Sequence, residues 1–225
     1  ENRVLLRYDV VQDLLRTFSS VFSADAVQKG LSLLGGKLGE QIASPKVTLI
    51  DDPLLPNGGA SAPFDAEGVA TKTKEVIAQG TLTTFLHNLK TAKKDGVEST
   101  GNAFRASFKS PVGISPSNFY IKPGEKSYDE LVQELGSGLI IIDVQGTHSG
   151  ANPVSGDFSL GAYGYLVENG KITRAVDQIT IAGNFFKLLE SVEEIGSDLE
   201  FGIPGYGGNV GSPSLIIEKL AIAGN

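Results

Sequence analysis

The sequence predicts an α+β protein, an antiparallel or mixed β-sheet, able to curl into a barrel, flanked by a few helices. Three observations predict it. Segments with a two-residue period outnumber those with helical spacing. Two turns, Gln79-Gly80 and Asn169-Gly170, each join a pair of extended runs as hairpins. Leu139 to Val144 is an almost unbroken apolar run, as in a central strand.

In chain order, Asp9 to Ala24 reads as a helix. Val10, Val11, Leu14, Leu15, Phe18, Val21 and Phe22 form one apolar stripe, with Asp9 as N-cap. A second helical segment runs from Asp25, with Val27, Leu31, Leu34 and Leu38 on one face and Ser44-Pro45 as its stop. Lys46 to Ile50 is a short strand, and Asp51 to Gly59 a loop rich in Pro, Asn and Gly. Thr71 to Ala78 and Thr81 to Leu86 form the first hairpin. Asn88 to Asp95 supplies one or two helical turns, and Gly96 to Asn118 carries extended segments among Gly, Ser, Pro and Asn. Ser127 to Leu135 is a helix opened by a capping box, Ser127 with Glu130, and closed by Gly136. Asp157 to Val167 and Lys171 to Val176 form the second hairpin. Asn184 caps a helix through Glu194, and Ser214 to Ile222 is the last strand.

Composition excludes several chemistries. The 225 residues contain no Cys, which removes disulfides, thiol nucleophiles and Cys-bound metals. The two His, His87 and His148, leave little material for an all-protein zinc site. A net charge of −7 argues against nucleic-acid and anionic-membrane partners, which need a basic footprint. No apolar run approaches the ~20 residues of a membrane span, and no secretory signal opens the chain. A soluble cytoplasmic protein is the expectation. The chain has no Met and starts at Glu1, so it reads as a piece of something longer.

Common catalytic motifs fail one by one. Neither His begins a His-Glu-x-x-His helix, and no Gly-x-Ser-x-Gly elbow occurs. Gly30 and Gly35 have phosphate-loop spacing but lack the following Lys-Ser/Thr, and Gly205 to Gly211 misses the dinucleotide spacing. One polar constellation follows the central strand, from Asp143 to Asp157, with His148, Asn152 and several hydroxyls. Ligand sites often occupy such strand ends, yet a long turn can equally use these side chains on its own backbone. His87 reads as a surface or half-buried aromatic at a strand end. Asp51, Asp52, Asp65 and Glu67 read as a solvated acidic loop.

Five segments in order then become informative: Ala60 to Gly68, Ser99 to Asn102, Gly150 to Ser159, Glu168 to Ile172 and Ile179 to Asn184. Over nearly the whole chain the sequence resembles the C-terminal half of the TldD/PmbA (TldE) family, once described as modulators of DNA gyrase. It leans to the PmbA/TldE branch. The resemblance implies a single C-terminal domain over residues 1–225, with an N-terminal domain lying outside this sequence. TldD-like members resemble zinc peptidases, with a His-Glu-x-x-x-His helix and a later Cys. Aligned on Leu14-Leu15, this sequence has Arg16 and Thr17 for His-Glu and Val21 for the second His, and Gly202 to Gly211 holds no Cys.

The resemblance implies a non-catalytic subunit of a heteromeric zinc peptidase complex, acting on unfolded or extended peptides in peptide maturation and antitoxin turnover. No catalytic residue and no metal ligand is assigned in this chain, and zinc is expected only in a TldD-like partner. A homodimer in isolation is compatible with this. Candidates for a groove or interface are His148, Asn152, Asp157 and Asn102. Two alternatives stay open: a stand-alone hydrolase using His148 with Asp143 or Asp157, and a regulatory binding module linked to DNA gyrase.

Overall fold

A computed structural model describes residues 2–205 and 207–224. The chain opens with a strand the sequence did not announce, β1 (Asn2–Leu6). Helix α1 spans Tyr8–Phe18 and buries Val10, Val11, Leu14, Leu15 and Phe18. It is shorter than predicted, because residues Ser19–Phe22 tighten into a 3-10 turn in which the Ser19 hydroxyl bonds the Arg16 carbonyl (2.9 Å). Val21 and Phe22 are buried all the same. The N-cap is Arg7, not Asp9; Asp9 stands in the first turn and pairs with Arg7.

The second predicted helix is only the short α2 (Ala24–Gln28). Gly30, Gly36 and Gly39 take positive φ (71°, 80° and 85°), so the helix cannot continue. Of its apolar face Leu34 is buried, whereas Leu31 and Leu38 are half exposed. Strand β2 (Leu49–Asp51) begins later than predicted and takes Asp51 out of the acidic loop. Strands β3 (Lys74–Ala78) and β4 (Thr81–Leu82) form the expected hairpin, with Gln79 and Gly80 both at positive φ (47° and 84°), as a twisted two-residue turn requires. Helix α3 (Leu89–Asp95) is capped by Asn88 and closed by Gly96.

A small arm of β5 (Ala103–Phe104) and β6 (Gly113–Ile114) follows, then β7 (Asn118–Ile121). Helix α4 (Tyr128–Leu135) has the predicted capping box between Ser127 and Glu130. Strand β8 (Gly138–Gln145) leads into the short α5 (Thr147–Gly150). Strands β9 (Asp157–Glu168) and β10 (Lys171–Asn184) make the long hairpin across Asn169-Gly170. β10 runs well past Val176, because bulges, one of them at Gln178 with φ 53°, break the alternation without ending the strand. Asn184 caps α6 (Phe185–Glu190), accepting from the backbone N–H of Phe186 (3.1 Å). The helix stops at Glu190, and Val192–Ile195 is strand β11. The remaining strands are β12 (Glu200–Phe201), β13 (Asn209–Ser212) and β14 (Leu215–Ala223).

The fold is α+β, as predicted. Strands β1, β8, β9, β10 and β14 close a five-stranded barrel, because β14 pairs with both β10 and β1. Only β1–β8 is parallel within it, and β11 adds beside β14. A second sheet runs β12-β13-β7-β2-β3-β4. Helix α1 packs against β8 of the barrel and β12 and β13 of the second sheet, so its apolar stripe helps join the two. Phe18 stacks on Phe185 of α6, with ring centroids 4.7 Å apart. Each such large side chain contributes roughly 1.5–3 kcal/mol on leaving water. A smaller core lies under α4, where Leu131, Val132 and Leu135 meet Leu5, Ile140, Val167 and Ile216. Among the described residues no helix is long and apolar enough to cross a membrane.

Candidate functional site

Helix α1 turns one polar face toward β12 and the segment after it. Gln12 Nε2 donates to the Glu200 carbonyl (2.7 Å), and Arg16 Nη2 to the Ile203 carbonyl (3.3 Å). Gly202 lies beneath both: a Cβ built there would stand 2.7 Å from Arg16 Nη2 and 2.9 Å from Gln12 Oε1. Helical spacing explains the pairing, since residues four apart share a face. Thr17 turns back to the Asp13 carbonyl (2.7 Å), and Val21 is buried in the core. Of the three residues aligned with a metal motif, Arg16 alone therefore reaches this cleft. Burial pushes the Asp13 carboxyl up, only partly offset by the neighbouring Arg16 charge.

A guanidinium stays protonated and has no lone pair to give, an amide is a poor ligand, and glycine offers none. Among the described residues, no three His, Cys, Asp or Glu side chains gather where they could hold a metal ion. The residues present do not fit a hydrolytic metal.

Beside this cleft opens a cavity of about 370 Å³, with Phe64, Asp65, Phe104, Arg105 and Pro116 in its lining. Two of the segments that carry the family resemblance, Ala60 to Gly68 and Ser99 to Asn102, supply much of its lining. Asp65 builds the wall: one carboxylate oxygen accepts from the N–H groups of Glu67 (2.9 Å) and Val69 (3.0 Å), the other from Ala103 N–H (3.0 Å). Glu67 in turn accepts from Leu89 N–H at the start of α3 (2.8 Å). The two read as a solvated acidic loop; instead they tie it to its neighbours.

Under the cavity runs a buried polar network. Asp51 accepts from Lys74 Nζ (2.8 Å), Asn102 Nδ2 (2.7 Å), Ser117 Oγ (2.7 Å) and Ser117 N–H (2.6 Å). Asn102 also takes bonds on its oxygen from Thr100 (2.7 Å) and Lys74 (3.2 Å). Asn118 receives Ala60 N–H (3.0 Å) and donates to Ser61 (2.9 Å). With its amide turned to suit its neighbours, Asn209 donates to the Gly202 carbonyl (2.8 Å) and accepts from Gly59 N–H (3.3 Å), linking the cavity wall to the α1 cleft.

The predicted candidates divide. Asn102 lies in the floor of this cavity, nearly fully buried. Asn152 and Asp157 meet in another loop, where Asn152 N–H donates to the Asp157 carbonyl (2.8 Å). Asn152 Oδ1 accepts from Val154 N–H (3.0 Å) and Ser155 N–H (3.4 Å). Asn184 Nδ2 donates to Asp157 (2.9 Å), and this bond with that from Ser155 holds its carboxyl below the usual range. His148 is exposed on α5, and among the described residues its ring makes no hydrogen bond to Asp143 or Asp157. Asp143 is instead engaged by the Tyr163 hydroxyl, which raises the phenol.

His87, expected at or near the surface, is 5% exposed, and among the described residues its Nδ1 has no partner. Burial pushes its pKa down, partly countered by Asp95. Gln12 escapes the sequence reading, and Gly202 enters it only as the start of the segment aligned with the missing Cys. A helix face is legible from spacing, but the element opposite it is not.

Comparison with known proteins places the chain. The family model of the PmbA/TldA metallopeptidase C-terminal domain matches residues 1–224. A protein of Archaeoglobus fulgidus named a metalloprotease is 38% identical over 195 residues, 86% of this chain and 44% of that protein. A Thermotoga maritima protein, its crystal structure described as that of a proposed modulator of a DNA gyrase, is 47% identical with a TM-score of 0.91, covering 99% of this chain and 49% of that one. TldE from Thermococcus kodakarensis is 29% identical, also with a TM-score of 0.91, over 100% of this chain and 50% of that one. The chain thus spans about half the length of these relatives. By sequence and by fold, it belongs to the PmbA/TldD family and corresponds to the C-terminal domain of its PmbA/TldE-like branch.

Proposed function

We propose that this chain belongs to a non-catalytic, PmbA/TldE-like subunit of a heteromeric zinc peptidase that handles unfolded or extended peptides. A TldD-like subunit would supply the zinc and the hydrolytic step. One observation carries the reading: where α1 faces Gly202, the side chains are an amide and a guanidinium, neither able to ligate zinc as a thiolate or imidazole does. The metalloprotease names of the relatives support a role in proteolysis. The neighbouring cavity, walled by loops on a rigid sheet, gives a peptide segment somewhere to lie.

Reconstitution tests it. The full-length protein and a TldD-like subunit from the same source are purified separately and mixed with an unfolded peptide substrate. Cleavage should require both, and neither alone should turn over. Equal cleavage by the TldD-like subunit alone would refute the partner role. Coelution with gyrase in place of a peptidase subunit would favour a regulatory module.

A further inference from the structure

The cavity beside Gly202 has a chemical preference written into its rim. From Ser99 to Gly124 the sequence contains no Asp or Glu, although the chain as a whole carries −7. That stretch includes the β5–β6 arm, with Arg105 and Lys109 near its tip. Among the described residues Arg105 has neither ion pair nor side-chain hydrogen bond, and it borders the cavity. Among the described residues Lys109 has only the Phe108 ring, 5.4 Å from its Nζ. Among the described residues the one carboxylate lining the cavity, Asp65, accepts from three backbone N–H groups and makes no ion pair with Arg105. Apolar surface accompanies it: Phe64, which lines the cavity with Phe104 and Pro116, is 62% exposed, and Phe108, farther along the arm, is 85% exposed.

An unpaired cation beside exposed aromatic surface is complementary to an anion next to an apolar side chain. We infer that the cavity between Phe64 and Phe104 receives an extended acidic peptide segment, its apolar side chain in the cavity and its carboxylates on Arg105 and Lys109. This rests on the peptide-handling role proposed above and adds the class of peptide. The volume, about 370 Å³, lies within the ~300–1,000 Å³ range of ligand-sized sites.

The test uses two fluorescein-labelled heptapeptides, each with a central Phe, one flanked by Glu and the other by Lys. Binding to the full-length protein is followed by anisotropy. The Glu peptide should bind about tenfold more tightly at low salt, and the margin should shrink as salt screens the rim. Arg105→Glu should invert the order of the two peptides, which a merely misfolded variant could not do. Phe64→Ala should weaken the Glu peptide. Equal affinities, no binding of either peptide, or an unchanged order in Arg105→Glu would overturn the inference. If the reconstituted peptidase still needs this subunit while the peptides bind alike, this inference alone falls. If the charge preference holds but cleavage does not need the subunit, the proposed function falls instead.

Discussion

The Asp51 carboxylate and the Lys74 ammonium lie 2.8 Å apart, with side chains 0% and 9% exposed. A pair so deeply buried is costly to break, because the survivor keeps its charge without a partner. Lys74→Met should therefore lower unfolding stability by about 3–5 kcal/mol. Urea titration reads this, with a double-mutant cycle against Asp51→Asn to isolate the coupling. A loss below about 1 kcal/mol, the range of exposed pairs, would contradict the burial described.

His87 sets a pH dependence. Burial depresses its pKa from the ordinary 6.5, so the unfolded chain binds that proton more readily than the folded one. The stability gained by keeping it neutral is complete above about pH 6.5 and drains away as pH falls toward the depressed value. Thermal melts between pH 7.5 and 5 should show a falling midpoint, flattened in His87→Leu. An identical slope in the variant would show that other groups carry the effect.

Two glycines should respond oppositely. A Cβ at Gly164 would stand 1.7 Å from the Ile140 carbonyl oxygen, between paired strands that cannot part locally. Gly164→Ala should cost about 3 kcal/mol or more. At Gly202 the nearest atoms are the mobile ends of Arg16 and Gln12, so Gly202→Ala should be mild in stability while displacing the guanidinium. Comparing the two unfolding curves checks both statements.

The Asn152 loop satisfies its own backbone, and His148 stands outside those bonds. His148→Ala should leave peptide cleavage by the reconstituted complex unchanged. Loss of turnover with intact folding would revive a hydrolase centred on this loop.

Local chemistry made much of this fold legible. The Ser127–Glu130 box, the Asn184 cap and both two-residue turns are short-range signals, and each formed where it was read. Partnership between distant segments was not legible. Strand β1 is only five residues, and its place depends on β8 and β14 far along the chain. The Leu31–Leu38 face looked helical because the spacing was right, yet three glycines at positive φ overruled it. At the candidate site, Asn102 lay within a segment the sequence singled out. Its partners Asp51 and Lys74 come from β2 and β3, whereas the local sequence places Asp51 in a loop.

Closure of the barrel joins β1 to β14, strands from opposite ends of the sequence. While the ribosome is still making the middle of the chain, β1 has no antiparallel mate and the ring has a gap. That seam carries a high loop-closure entropy and must form late. A nascent chain stalled before β14 would therefore present open strand edges to chaperones, and truncation at the C-terminal side would be felt at Val4 and Leu6, far upstream in the sequence.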